Sequence, residues 1–567
     1  MYKCLLLLLL STCTLTFASA QNTYIPLGSD EYQLLERLET KSGRFSDSLF
    51  LSIRPLSRKD AVQFLTGQKA AHYNASHSNA DNAGINRAIS LSGEYLEPNG
   101  DGAEDSDHPL LGTFYTKKTD LIYLSNRHLF LSVNPVLSAG ISYETTDGRF
   151  AQTIPNTTQG IEMRGNVRDV FGFYFLGTHN YEEPASYVAR WRVSNGVFPG
   201  ADNSTEAGNG YRFFQFRGYG DIALVKDHIS LTLGYDRHFL GDGFRSLFLS
   251  DFSRGAAYAR INTRIWKLQY QNLYLKLLPQ TLGDPAATGG NKYATAHYLS
   301  MNITHWLNVG IFETVTFTRN GGYELSYLNP VIFYRAIERG MGSPDKVSIG
   351  FNLKAIALKR FNIYSQLLIN EFTTRELFAG KGYWANKWGI QTGVKYFDAF
   401  GLSNLDLQAE VNVVRPYTYQ HYANVDGFGI ANYTHGNQAL AHPLGAGFAE
   451  VNAFARYRPL PRLLLEGRAM YYKQGVDTGF VNNGVNILKD YNGRADNYGI
   501  QLINGPEANC LLLNFQASYE LRPRLYADLA ATWRKYQVAI EGLPQQKSLL
   551  FSAGLRLNLS RLDRTFY

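Results

Sequence analysis

The sequence is poor in cysteine. Only Cys4, Cys13 and Cys510 occur in 567 residues. The first two fall in an apolar N-terminal stretch that reads as cleavable, so a disulfide framework is excluded. Long apolar runs are also scarce: beyond the N-terminus no segment approaches the ~18 continuous apolar residues that a spanning helix requires. Charge is nearly balanced, with a formal net charge of +7, and no cluster interleaves basic with aromatic residues. Both features argue against a nucleic-acid partner. Cofactor signatures are missing too. Gly241-Asp242-Gly243 is followed by neither a helix start nor Lys-Ser/Thr, so it reads as a turn at a loop tip rather than a phosphate cradle. No cofactor is expected.

What the chain does have begins with an export signal. Lys3, the run Leu5 to Leu10 and Ala18-Ser19-Ala20 predict a secretory signal peptide over 1–20, cleaved near Ala20. A lipoprotein reading through Leu10-Ser11-Thr12-Cys13 is the weaker one, because the residue before the cysteine is normally smaller than Thr. The chain is rich in Gly (52), Tyr (38) and Phe (34), yet slightly polar in mean hydropathy. A membrane barrel covers lipid with alternate residues only and gathers aromatics at its interfaces, which gives this composition.

The strand pattern is explicit at Leu405, Leu407, Ala409, Val411 and Val413, between which stand Asp406, Gln408, Glu410 and Asn412. Strand residues alternate faces, so one face is apolar and the other polar. Alternation and turn residues together predict strands near 129–144, 159–167, 170–178, 213–225, 228–236, 254–264, 267–277, 294–304, 309–319, 346–358, 361–371, 387–397, 404–415, 448–458, 462–473, 511–521, 525–536 and 548–559. That makes about eighteen. Pro135 should disturb the first. Tight connections alternate with long ones (179–212, 237–253, 320–345, 416–447 and 474–510), the rhythm of short periplasmic turns and long extracellular loops. At the end, an apolar face of Phe551, Ala553, Leu555, Leu557 and Leu559 precedes Phe566-Tyr567, the form of a strand read by outer-membrane insertion machinery.

Residues 21–110 differ. Ser29 or Asp30 can cap a helix carrying Leu34, Leu35 and Leu38. Ser57-Arg58-Lys59-Asp60 starts a second helix with Ala61, Phe64 and Leu65, a third runs from Ala83 to Leu91, and Asn74 to Asn82 reads as a polar linker. Three short helices make too small a core alone, so they should pack against one end of the barrel. The expectation is an all-β fold, a transmembrane antiparallel β-barrel of about 18 strands over 111–567, with a small N-terminal periplasmic helical bundle over 21–110.

Several ordered stretches resemble the capsule-assembly Wzi family of outer-membrane barrels, and within it the gliding-motility RemB-like members. They are Ile25-Pro26-Leu27-Gly28-Ser29 with Leu34 to Leu38; Arg54 to Asp60; Gly241 to Ser250; and Arg415-Pro416-Tyr417-Thr418-Tyr419 leading to His442-Pro443-Leu444-Gly445. The resemblance implies an eighteen-stranded barrel with a periplasmic helical bundle. It also implies a role in retaining or organising surface polysaccharide.

Loop 416–447 is the richest in candidate contacts. Tyr417, Tyr419, His421, Tyr422, His435, Asn437, Gln438 and His442 offer aromatic faces for sugar C–H patches and amides for hydroxyls. The same residues suit a loop packed into the barrel mouth. The spacing of His421, His435 and His442 matches no metal-ligand pattern, so no metal is expected. Ser246 or Ser250 beside His238 lacks a hydrolase signature, so no catalytic residue and no enzyme activity are expected. Inward Asp406, Glu410, Glu450 and Glu466 should pair across strands with Arg456 and Arg468. The expected function is a non-enzymatic, monomeric outer-membrane barrel whose partners are lipid and surface polysaccharide, linked to capsule, adhesion or gliding. The rival is a porin or uptake channel for a small solute.

Overall fold

The computed structural model describes residues 23–70, 77–96, 104–126, 128–167, 170–281, 290–331, 345–371, 373–422, 429–479 and 481–561. Eighteen antiparallel staves close a barrel: β1 Leu129–Thr146, β2 Arg149–Val167, β3 Phe171–Glu182, β4 Gly210–Val225, β5 Ile229–Asp236, β6 Ala256–Ile265, β7 Leu268–Leu277, β8 Asn291–Asn302, β9 Leu307–Arg319, β10 Lys346–Ala357, β11 Phe361–Glu371, β12 Lys387–Tyr396, β13 Leu405–Val414, β14 Phe448–Leu460, β15 Leu463–Gly475, β16 Glu507–Arg522, β17 Leu525–Val538 and β18 Gln546–Leu557. β18 pairs with β1 from Ser548↔Thr146 to Leu557↔Leu137 and closes the ring. Closure leaves no stave with an unpaired edge.

Alternation sets which face meets lipid. On β13, Asp406, Gln408, Glu410 and Asn412 are buried towards the lumen, while Val411 is 44% exposed outside. Ile141, Leu233, Phe351, Ile390, Val451, Phe515, Leu529 and Phe551 continue the outer apolar surface around the ring, as a membrane barrel requires. Trp266 and Trp306 stand exposed in the short turns, where a barrel carries one of its aromatic girdles.

Two local expectations are corrected. β1 runs straight through Pro135, which pairs with Ile161 of β2. Its carbonyl accepts from Asn558 Nδ2 at 2.7 Å, so its N-side faces beyond the last ladder pair with β18, where no N–H is needed. The stretch 145–158, left unassigned between the first two expected strands, holds a two-residue hairpin turn and the start of β2. Asp147 and Gly148 have φ of 51° and 80°, the left-handed pair of a tight hairpin, and β2 extends ten residues further towards it than the alternation suggested. Elsewhere one end of the barrel carries only short connections, none longer than 397–404, and the other carries the long loops.

Three helices close the short-turn end: α1 Glu31–Ser42, α2 Arg58–Ala70 and α3 Asn79–Ser90. α3 begins four residues before the expected start because Ser78 caps it reciprocally with Asp81, the capping-box device. Leu35, Leu38, Leu56, Ala61, Leu65, Ile85 and Ala88 form the small core they share. Ions then fix this plug to the wall. Arg37 of α1 bonds Asp81 of α3 together with Asp398 and Asp406 of the barrel. Glu36 accepts from Arg54 and Lys395, and Glu39 meets Lys354 at 3.2 Å. Burial alone would raise the Asp81 carboxyl, but the hydrogen bond and charge of Arg37, with Lys41, hold it well below its ordinary value.

The lumen above the plug is filled from the other end. Loop 237–255 turns inward rather than standing at the surface, and its Phe239–Leu240 pairs with Ile53–Arg54 of the plug. Gly241-Asp242-Gly243 is therefore not a loop tip in solvent but lies in the lumen. Gly241 holds a φ of 144°, and a Cβ at Gly243 would lie 2.7 Å from the Arg245 carbonyl oxygen, so both positions favour glycine. Asp242 is held by Ser52 at 2.7 Å and Asn352 at 2.9 Å. A continuous apolar core runs from Tyr24 and Ile53 through Leu247, Phe248 and Leu249 to Tyr419, Tyr433 and Leu440.

One loop lies outside the wall. Segment 320–331 descends over the outer face of β7 to β10: Tyr323 contacts Tyr274, Tyr293 and Phe317, Tyr327 is fully buried, and Tyr270 and Asn272 donate to the Pro330 carbonyl at 2.7 and 2.9 Å. Leu325 and Val331 remain exposed on its outer side.

Two outcomes are expected. Phe515→Arg places a charge in the outer apolar band at a cost of about 2–4 kcal/mol near the bilayer midplane, so folded, heat-modifiable barrel should fall sharply on unheated gels. Gln516→Arg faces the lumen opposite Glu466 and should assemble normally. Arg37→Ala removes the cation from Asp406 and leaves Asp81 and Asp398 to Lys41, at about 3–5 kcal/mol for a broken buried pair; the barrel should persist while trypsin gains access to α1–α3.

Candidate functional site

Tyr417 and Tyr419 open the loop that caps the barrel, and both hold positive φ, 65° and 73°. For non-glycine residues this costs of order 1–3 kcal/mol each and persists only where the surroundings over-determine it. Here the surroundings are explicit. Tyr417 N–H donates to the Gly484 carbonyl at 2.7 Å and its hydroxyl to Asn482 O at 2.9 Å. Tyr419 OH reaches down to Leu247 O at 2.8 Å. The strained turn thus joins three loops: 237–255, 415–447 and 476–506.

The remaining candidates of this loop are placed as follows. His435 accepts the Leu278 N–H on Nδ1 at 2.9 Å and bonds Gly255 O through Nε2 at 2.7 Å, so it is neutral with the proton on Nε2. His442 accepts Leu444 N–H on Nδ1 and bonds Glu450 through Nε2 at 2.8 Å. Asn437 bridges Thr281 and Asn195, and Gln438 Oε1 accepts Gly200 N–H at 2.8 Å. His421 stacks on Tyr422 with centroids 4.5 Å apart. All except Tyr422 are buried, and they bond to protein groups. The structure brings them together as the fastening of the lid and leaves Tyr422 at its rim. Ser246 donates to Leu240 O, whereas His238 lies edge-on to Tyr258.

Tyr422 leads to a cluster that the sequence reading did not single out. Tyr491 lies 5.7 Å from Tyr422 and 4.8 Å from Trp384. The Arg494 guanidinium sits 3.9 Å over Trp384, and Lys387 lies 4.1 Å from Tyr491. Tyr383 joins Tyr498 at 5.3 Å, and Tyr498 is 48% exposed. Tyr422, Tyr491 and Tyr498 thus stand partly exposed at the long-loop end, over buried Trp384 and Lys387, in a cluster braced by cations and drawn from the loops between β11 and β12, β13 and β14, and β15 and β16. The signal in sequence was Tyr383-Trp384 and Tyr491 in loops bracketing the expected one, and nothing local showed that they converge.

The expected cross-strand pairing holds in part. Arg456 bonds Glu466 at 2.6 Å. Asp406 instead meets Arg37, Glu410 accepts the Phe244 and Arg245 backbone N–H groups, and Glu450 is shared by Arg245 and His442. Their partners come from the plug and the inward loops.

Comparison with known proteins adds the following. No protein-family model and no curated protein matches the sequence. Among solved structures, the chain is similar to Wzi of Escherichia coli, described as an outer-membrane protein involved in group 1 capsule assembly and a carbohydrate-binding β-barrel. The identity is 12%, 96% of this chain and 100% of that chain are covered, and the TM-score is 0.57. It is also similar to OprD of Pseudomonas aeruginosa, at 12% identity over 75% of this chain and 95% of that one, with TM-score 0.41. The likeness to Wzi is one of fold: this is an eighteen-stranded barrel of Wzi-like architecture.

Acid should open the lid. Burial pushes His421 and His435 down to about 3 and also lowers His442, against the pull of Glu450. A folded value below the ordinary ~6.5 means that the contribution is full above pH ~6.5 and is lost as pH falls towards 3. The loss is about 1.4 kcal/mol per pH unit for each of His421 and His435. Hydrogen–deuterium exchange, corrected for intrinsic rates, should show 429–447 protected at pH 7.5 and progressively exposed by pH 4.5.

Proposed function

We propose that this protein is an outer-membrane barrel whose long-loop face associates with surface polysaccharide, in the retention or assembly of capsule or exopolysaccharide. In this reading the long loops face outwards, α1–α3 lie on the periplasmic side, and the signal over 1–20 directs export. The observation that carries it is the cluster of partly exposed Tyr422, Tyr491 and Tyr498, backed by buried Trp384, over a barrel narrowed by the plug and inward loops. The plug and inward loops block much of the lumen, which suits a free-diffusion pore poorly, whereas the partly exposed faces of Tyr422, Tyr491 and Tyr498 beside Arg494 suit sugar rings. The carbohydrate binding described for Wzi supports the same class. Tyr417, Tyr419, His421, His435, Asn437, Gln438 and His442 then act beneath the surface, fixing Tyr422 and its neighbours in place. The resemblance to RemB-like members extends the proposal to adhesion or gliding.

The test is to replace Tyr422, Tyr491 and Tyr498 together by Ala. Each stacking contact is worth about 0.5–1.5 kcal/mol, so cell-bound polysaccharide should fall at least several-fold relative to shed material, with outer-membrane fractionation unchanged. Wild-type retention by the triple variant would overturn this surface. Stable open channels in planar bilayers would move the assignment to a solute channel.

A further inference from the structure

In the turn between β10 and β11, Leu358 and Lys359 hold left-handed φ of 53° and 55°, a conformation that is unfavourable for such side chains unless contacts offset it. Leu358 is 82% exposed, so packing within the protein does not offset it. Lys359 and Arg360 are exposed beside it. The stem of Lys359 lies against the plug at Gly43, where a Cβ would stand 2.8 Å from its Cγ. Gly43 ends α1 with φ 75°, and the next residue, Arg44, is exposed as well. Three cations therefore meet at the seam between plug and wall. Their side chains make no ion pair among the described residues. Asp47, the one acid of 43–48, is taken up by Asn302 Nδ2 at 2.9 Å.

Exposed cations alone mean little, and it is the wall beside them that gives these a role. Lys354, Ile356 and Asn362 face the lumen, so Ala355, Ala357, Phe361 and Ile363 face outward. Across the staves Leu307 stands beside Ala355 and Ala355 beside Ile363, while Ala357 stands beside Phe361. Two alanines thus form the outer row of β10 between larger side chains on β9 and β11. Neighbouring staves lie about 4.8 Å apart, so those flanking rows are about 9.6 Å apart, and the low row between them is a groove for one hydrocarbon chain. Trp306, 45% exposed, bounds it on the β9 side, where its carbonyl accepts the Ile356 N–H at 2.9 Å. Phe361, stacked on Tyr396 with centroids 4.4 Å apart, bounds it on the other. The groove runs along the lipid-facing wall, and its mouth is the turn that carries Lys359 and Arg360.

We propose that this groove and seam bind one anionic phospholipid. Its phosphate lies among Arg44, Lys359 and Arg360, one acyl chain covers Ala355 and Ala357, and Leu358 enters the bilayer interface beside it. A headgroup whose only charge is its phosphate suits three cations, whereas the ammonium of a zwitterionic headgroup is repelled by them. A lipid fits better than a soluble anion because the apolar groove continues from the cations onto the lipid-facing wall. Bound there, it joins the end of α1 to the rim where the Phe45 N–H already donates to His305 O at 2.7 Å. This site requires that the barrel lie in a bilayer and is independent of any polysaccharide at the other end.

The full-length protein, delipidated in non-ionic detergent, would be titrated by native mass spectrometry with four probes: phosphatidylglycerol, phosphatidylethanolamine of the same acyl chains, the chain-free headgroup glycerophosphoglycerol, and inorganic phosphate. The first phosphatidylglycerol should bind at least ten-fold tighter than phosphatidylethanolamine, and both soluble anions at least a hundred-fold more weakly than the lipid. Replacing Arg44, Lys359 and Arg360 together by Gln should bring the two lipids to within two-fold of each other. Lys226, Arg462 and Arg522 are exposed cations of other short turns; replacing them together by Gln removes the same charge and should leave the preference intact. Ala357→Leu, which fills the groove and keeps every charge, should weaken both lipids at least several-fold. Heat-modifiable migration checks that each variant is folded, and Ala355→Val serves where Ala357→Leu is not. Equal affinity of the parent for the two lipids, or a folded Arg44, Lys359 and Arg360 variant that keeps the preference, overturns the proposal. So does an equal loss in the distant triple variant, because the whole rim rather than this site would then attract the lipid. Glycerophosphoglycerol or phosphate binding as tightly as the lipid overturns the lipid assignment, and unchanged affinity in a folded groove variant overturns the acyl-chain contact. Loss of glycan retention on replacing Tyr422, Tyr491 and Tyr498 should leave these titrations unchanged, so the two sites fail separately.

Discussion

A barrel that turns alternate residues inwards must find partners for every polar group it buries, and this constraint organises the molecule. With an open, wet lumen, water would do it. Here the plug and inward loops occupy much of the lumen, so many of the wall's carboxylates and amines are answered by the chain's own N-terminus and loops. Arg37 alone gathers Asp81, Asp398 and Asp406, joining two helices' worth of plug to the β12–β13 turn and the stave after it. Such ions are poor sources of net stability, since desolvation offsets most of their attraction. They do make one arrangement far better than its neighbours, because any shift strands a charge.

The same constraint explains what the sequence revealed. A stave must alternate, and alternation is local, so the positions of most staves were legible within a few residues. Pro135 misled only because its N–H would have faced past the end of β18, which depends on a stave more than 400 residues away. The Asp147-Gly148 turn was local and legible, but β2 beyond it is broken in pattern by Pro155, so its upper half carries no clean alternation.

The site was less legible for a physical reason. Loop residues carry no period, and whether a tyrosine faces sugar or protein depends on which other loop lies above it. The richness of 416–447 in Tyr, His and Asn marked a loop under structural demand. It could not separate Tyr417 and Tyr419, which hold the strained turn, from Tyr422, which reaches the rim. Nor could it show that Asp242 lies deep in the lumen, since the neighbours that hold it there, Ser52 and Asn352, are far away in sequence.

The segment folded over β7 to β10 has a consequence for the protein's surroundings. Lipid packs around an unadorned barrel evenly, and every bearing in the plane of the membrane is alike. With Leu325 and Val331 on the outer side of a strap fastened to Tyr270 and Asn272, one flank is thicker, and its backbone is irregular where lipid tails favour closed sheet. Annular lipids cannot seal that flank as they seal the opposite one. The molecule therefore has a front and a back within the bilayer, and in a crowded membrane its neighbours can tell them apart.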